Sequence, residues 1–139
     1  EFGFDAAAKM DEKVWEKLAP AQAYRTIKTL GLGNDIQALA SLLKLTAPQW
    51  VSAGFDWEFT EVKENRLSMT IHECPMGKYR KSQNLELMPC KHIAPPLYRG
   101  LAKIVNENIE TKCVHAHPDP PKENIMCQWE FVLESSSQK

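Results

Sequence analysis

Apolar residues in the first third of the chain recur at helical spacing. This pattern predicts amphipathic helices between about residue 5 and residue 47. Pro20 lacks a backbone donor but suits a first helical turn, so we expect a break at Ala19 and a second helix over 20–30. The apolar face of the first helix is indicated by Met10, Val14, Trp15 and Leu18.

A third helix is predicted over residues 36–45. Gly31 is typical of the cap that ends the preceding helix, and Asn34 or Asp35 is typical of the cap that begins the next one. Ala47 and Pro48 are expected to end this third helix.

After residue 55 the apolar period changes from helical to alternating. Trp57 and Phe59 alternate with polar residues, and Leu67, Met69 and Ile71 do the same after a polar turn. This pattern predicts a strand–turn–strand hairpin with one buried face. Residues 78–84 are polar and are expected to form a short helix or a loop.

The last third of the chain repeats the order helix, strand, strand. A helix is predicted from Pro95 or Pro96 to Glu107, and strands over 109–116 and 125–133 flank a proline-rich loop. The chain therefore predicts one α+β domain over 1–139, in which helices precede a four-stranded antiparallel sheet (β-β-α-β-β) covered by helices. The sheet-containing part is expected over about 55–134.

Composition and charge exclude several classes of protein. The chain has 139 residues and a net charge of −1, and its Lys and Arg residues are spread rather than clustered. This distribution argues against nucleic acid and against a membrane as partners. No apolar run reaches the roughly 18 residues of a membrane span, and no secretory signal opens the chain. We expect a cytoplasmic protein whose partner is a small molecule or a metal, with a homodimer as an open alternative.

The cysteines and histidines are concentrated in one segment, between residues 72 and 131. In a reducing compartment, clustered thiols more often bind a metal or react than form disulfides. The segment is therefore the expected place for chemistry. Its members are His72, Cys74, Cys90, His92, Cys113, His115, His117 and Cys127.

Strand alternation predicts which thiols meet. Cys113 and Cys127 are both expected on the inner face of neighbouring strands, with His115 and His117 on the same side as Cys113. Cys90 precedes a helix, where free backbone N–H groups stabilise a thiolate. We therefore expect Cys90, Cys113 and Cys127 to converge. Cys74 has outward parity, and it joins them only if Pro75 turns the chain back over the sheet.

Four segments of the chain resemble known families. The segments are FDAAAKMDEKVWEKLAPAQAYRTIKTLG, ECP at Cys74, PCK at Cys90 and PDPPKENIMCQWEF. Together they resemble a family of small uncharacterised bacterial and archaeal cytosolic proteins. The later half is also similar to the vinyl-reductase type of ligand-binding domain and, more distantly, to the L-2-amino-thiazoline-4-carboxylic acid hydrolases.

The vinyl-reductase resemblance implies an α+β sandwich that binds small hydrophobic ligands or metal, often as a dimer. It also implies Cys90 and Cys127 as site positions. The chain departs from that pattern in two places: residues 120–124 replace a glycine-containing turn, and Cys113 stands one residue from the expected penultimate-strand thiol.

Our first functional hypothesis is a metal- or small-ligand-binding domain, acting as a sensor or an accessory protein. Cys74, Cys90, Cys113 and Cys127 would be the metal ligands, with zinc as the metal and an iron–sulfur cluster as the alternative. The spacing contains no CxxC pair, so the pattern differs from that of a zinc ribbon. A buried cysteine is also commonly a small apolar residue of the core.

Two further hypotheses belong to other classes. The second hypothesis is a cysteine- or metal-dependent hydrolase of a small cyclic amide or thiazoline. In its cysteine-dependent form it would use Cys90 as nucleophile, its pKa lowered by the helix N-terminus, and His92 or His115 as general base. The third hypothesis is a structural module that dimerises and has no site.

Overall fold

Five helices and four strands follow one another along the described chain, in an α+β arrangement. A computed structural model describes residues 2–52 and 54–134, with the backbone alone over 47–52. This order confirms the predicted fold class. The elements are α1 (Gly3–Leu30), α2 (Ile36–Ser52), β1 (Asp56–Val62), β2 (Arg66–Glu73), α3 (Pro75–Ser82), α4 (Cys90–Ile93), α5 (Pro95–Val105), β3 (Ile109–His115) and β4 (Cys127–Leu133).

The strands form one antiparallel sheet in the order β1-β2-β4-β3. Opposed residues of neighbouring antiparallel strands share a face, so the register identifies the inner face. Met69 of β2 lies opposite Trp129 of β4, and Ile71 lies opposite Cys127. These four residues are buried, so the alternation read from the sequence predicted the inner face of the central strands correctly.

α1 is one continuous helix of 28 residues, so the predicted break at Ala19 is wrong. A proline inside a helix removes one backbone hydrogen bond, but most helical stability in proteins comes from tertiary packing. Ala19 and Ala23 are fully buried, and α1 contacts α5 along this stretch. The predicted cap at Gly31 is confirmed, because this glycine adopts a left-handed conformation and its N–H donates to the carbonyl of Ile27.

The predicted apolar face of α1 is only partly correct. Trp15 packs against the core, whereas Met10, Val14 and Leu18 are 68%, 49% and 48% exposed. The buried face consists of small residues, because the neighbouring helix approaches too closely for larger ones. No helix within the described residues is both long and apolar enough to cross a membrane.

α2 begins where the sequence indicates and ends later. The Asp35 side chain accepts a hydrogen bond from the N–H of Ala38 at 2.8 Å, as expected of a residue that caps a helix N-terminus. The backbone remains helical to Ser52, so the end predicted at Ala47 and Pro48 is wrong. The missing N–H of one proline near a helix end removes a single hydrogen bond, which the rest of the turn tolerates.

The helices cover the inner face of the sheet and close the core. Tyr98 of α5 lies with its ring centroid 4.5 Å from that of Trp129 and 6.3 Å from that of Phe131. Leu39, Leu42 and Leu43 of α2 are fully buried and belong to the same core cluster. Between α1, α3, α4, α5 and one end of the sheet this packing leaves a cavity.

Candidate functional site

The cavity has a volume of about 530 Å³ and mainly apolar walls. Ile71, Cys127 and Trp129 of the inner sheet face contribute one wall, and Ala94, Leu97 and Tyr98 of α5 and its N-terminal flank contribute another. Cavities of roughly 300–1,000 Å³ with apolar walls and a few polar groups are typical of small-molecule sites. The volume therefore suits a small organic molecule.

α1 contributes one stripe of side chains to the cavity. Ala7, Asp11 and Trp15 are spaced four residues apart, so they lie above one another on the same helix face. This stripe is next to the buried alanines that face α5. The acidic Asp11 was not predicted as a site residue, because nothing in its local sequence distinguishes it from the other charged residues of the helix.

α3 closes the cavity near the end of β2. Pro75 occupies the first turn of this helix, where its missing N–H costs nothing. Gly77 is buried, and a Cβ there would stand 2.7 Å from Cε of Met126. A glycine at this position therefore lets α3 approach the segment that precedes β4.

Three of the four cysteines line the cavity: Cys74, Cys90 and Cys127. Cys113 lies outside this lining and is opposite Trp129, although it is on the inner face as predicted. The convergence of Cys90, Cys113 and Cys127 stays a prediction. Cys74 reaches the cavity because β2 ends at Glu73 and Pro75 turns the chain into α3, so strand parity no longer applies.

Cys90 and Cys127 are neutral at physiological pH. Burial, with a smaller contribution from the neighbouring Cys74, raises the pKa of Cys90 to about 11. Burial also raises the pKa of Cys127 to about 12. The predicted lowering of the Cys90 pKa is wrong, because α4 is a single turn of four residues and desolvation outweighs its dipole.

The histidines are dispersed over the fold. Of the four, which all lie in the described residues, His117 lines the cavity. His92 is exposed, and His115 is buried with its Nδ1 3.9 Å from a carboxylate oxygen of Asp119. A register shift between Cys113 and His115 pairs His115 with Gln128, and His115 is nevertheless buried, as the predicted alternation requires.

No three side chains of the metal-binding types come close enough to hold a metal ion within the described residues, which include every Cys and His. The site therefore does not fit a preformed four-thiolate centre. The zinc and iron–sulfur hypotheses stay predictions.

The charged groups at the cavity, Arg80 and Asp11, differ in their hydrogen-bond and ion-pair partners. The Arg80 guanidinium lies 4.7 Å above the ring of Phe4, and its Nε donates to the carbonyl of Glu86. Burial raises the pKa of Asp11, and a hydrogen bond from the side chain of Trp15 opposes that shift. Among the described residues no Lys, Arg or His nitrogen forms an ion pair with Asp11.

Comparison with known proteins identifies a family. The chain matches the family of unknown function DUF6125 over residues 1–133. It belongs to this family. No curated protein and no solved structure matches the chain. The predicted membership in an uncharacterised family is thus confirmed, while the resemblances to the vinyl-reductase type and to the thiazoline hydrolases stay predictions. Because DUF6125 has no assigned activity, a function for this cavity must be inferred from its geometry.

Proposed function

We propose that this DUF6125 protein binds a small, mainly apolar molecule in the cavity between the sheet and α1, α3, α4 and α5. One observation carries the proposal: a mainly apolar cavity of about 530 Å³, partly open to solvent, lies between the sheet and the helices. Its apolar walls contact water until a ligand covers them, and removing apolar surface from water is favourable.

The thiols fit this function as soft, neutral wall groups. Cys90 and Cys127 have pKa values of about 11 and 12, so both are protonated at neutral pH. A neutral thiol behaves as a small polarisable apolar group that packs well against aromatic or aliphatic ligands. Metal ligation would instead require deprotonation and movement of at least three groups toward one point.

The hydrolase alternative has less support from the arrangement. A thiol nucleophile reacts as the thiolate, and burial raises the pKa of Cys90. Of the two bases predicted for it, His92 has an exposed side chain and His115 lies beside Asp119. Ligand binding without turnover is the simpler function for these residues.

A fluorescent probe tests the proposal directly. N-Phenyl-1-naphthylamine is neutral and apolar, and its emission rises when it leaves water. We expect saturable binding with one site per chain. Leu97→Trp enlarges a side chain that lines the cavity and should weaken binding by at least about tenfold, because overpacking leaves less space for the probe.

The matched control is Leu30→Trp at the end of α1, where the leucine is 53% exposed. This variant should bind the probe like the wild type. Thermal unfolding of both variants verifies that each is folded. Equal binding by wild type, Leu97→Trp and Leu30→Trp would place the probe elsewhere and contradict the proposal.

A further inference from the structure

The walls of the cavity combine one carboxylate with several aromatic side chains. Asp11 is half-buried at the cavity, and Trp15, Tyr98 and Trp129 line the same space. A half-buried carboxylate loses solvation energy, and without a cationic partner the hydrogen bond from the Trp15 side chain offsets only part of that loss. A ligand that brought a positive charge would supply the missing partner.

Aromatic walls suit the same kind of ligand. The rings of tryptophan and tyrosine carry a negative electrostatic face, which attracts organic cations when water is excluded. The same rings bury apolar carbon efficiently. A cavity with this lining can therefore hold a hydrocarbon body and its charged end together.

Two basic side chains, Arg80 and His117, line the cavity. The Arg80 guanidinium contacts the Phe4 ring and the Glu86 carbonyl, so it is held by neighbours other than Asp11. Within the described residues, the imidazole of His117 forms no ion pair with Asp11. Asp11 thus remains available as a counterion.

We propose that the ligand is a small organic amine whose protonated nitrogen pairs with Asp11 while its apolar body fills the aromatic part of the cavity. This inference rests on the proposed function and narrows the class of ligand. It also requires the bound amine to hold Asp11 in the ionised form, so acid should weaken amine binding.

Three probes of similar shape separate the contributions of charge and apolar body. 2-Phenylethylamine is a cation at neutral pH, 2-phenylethanol is neutral and phenylacetate is an anion. Each is measured by displacement of N-phenyl-1-naphthylamine. We expect the amine to bind roughly tenfold more tightly than the alcohol, because a hydrogen bond between charged groups in a desolvated site is stronger than one between neutral groups. The anion should bind most weakly.

Asp11→Asn keeps the size of the side chain and removes its charge. In this variant the amine should lose its advantage while the alcohol binds within about twofold of the wild type. Asp5→Asn, an exposed position on the same helix, should leave all three affinities unchanged. On the wild type, amine affinity should fall on acidification and alcohol affinity should not, which provides a test even if Asp11→Asn folds poorly.

The outcomes distinguish the two proposals. An amine that binds no better than the alcohol, or an advantage that survives in Asp11→Asn, would overturn the inference and leave cavity binding intact. Failure of every probe, including N-phenyl-1-naphthylamine, would overturn the proposed function and this inference with it.

Discussion

Gly100 of α5 lies directly against Pro20 of α1. A Cβ on this glycine would stand 3.1 Å from Cδ of Pro20 and 3.2 Å from Cβ of Ala19. Both neighbours are short and rigid, so neither can move aside as the end of a long side chain would. The pair sets the distance between the two helices that frame one side of the cavity.

Gly100→Val should therefore destabilise the protein. The added carbons would force α1 away from α5, and overpacking of this kind typically costs about 1–3 kcal/mol. Chemical denaturation measures the change in the free energy of unfolding. Gly33→Val is the control, because no described heavy atom lies within 4 Å of the Cβ position there. Similar losses in the two variants would show that helix contact is not the cause.

Thr111→Val should stabilise the protein. The Thr111 hydroxyl is buried and has no hydrogen-bond partner among the described residues. A buried unsatisfied polar group costs about 1–3 kcal/mol, and valine has nearly the same shape without that group. We expect the free energy of unfolding to rise by about 1 kcal/mol.

Thr70→Val is the comparison for that substitution. Thr70 is also buried, but its hydroxyl lies 3.5 Å from the hydroxyl of Thr60. Removing a satisfied hydroxyl should give no gain. A gain at Thr70 as large as that at Thr111 would contradict the explanation.

The strands were predictable from sequence because their signal is local. Trp57, Phe59 and Met69 alternate with polar residues, and a two-residue period is typical of a β-strand with one buried face. The bulge after Cys113 was not predictable in this way, since an extra residue in one strand leaves no mark in the alternation. It changes the strand partner of His115 to Gln128, while His115 stays buried as the alternation predicts.

The helical errors have a different physical cause. α1 has apolar residues on two faces, and the larger ones, such as Met10, are exposed, while the alanines, such as Ala19, are buried. Hydrophobicity alone favours the larger residues as the core. Which face is buried depends on how closely α5 approaches, and that is a tertiary property. The place of Cys74 in the cavity likewise depends on the turn at Pro75.

The buried thiols should react slowly and only at high pH. The thiolate is the nucleophile, and burial raises the pKa of Cys127 to about 12. Alkylation by iodoacetamide, quantified for each cysteine by mass spectrometry, should show that Cys127 remains largely unmodified at about pH 8. After unfolding in denaturant its rate should match that of an ordinary cysteine. Rapid modification of Cys127 in the folded protein would contradict its burial.

His72 should make stability depend on pH. Its Nδ1 lies 2.7 Å from the carbonyl of Asn124 and its Nε2 lies 2.9 Å from Glu58, and these contacts raise the pKa of His72. A raised pKa in the folded state means that the stabilisation is fully present below the unfolded value of about 6.5. The stabilisation is then lost as pH rises through the folded-state pKa.

The test compares the wild type with His72→Gln. The difference in unfolding free energy should be larger at about pH 5 than at about pH 8. Glu58→Gln should show a smaller pH dependence than the wild type, because it removes one of the groups that favour the charged imidazole. If the difference in unfolding free energy between wild type and His72→Gln grew toward alkaline pH, it would contradict a raised pKa of His72 in the folded state.

The most direct test of the cavity as a binding site is an NMR measurement of where N-phenyl-1-naphthylamine lies. Intermolecular NOEs should connect the probe to methyl groups of Ile71, Leu97 and Met126, which line the cavity. The exposed methyl groups of Val14 and Val114 should show none. NOEs confined to those two exposed residues, with none to the cavity methyl groups, would contradict the account.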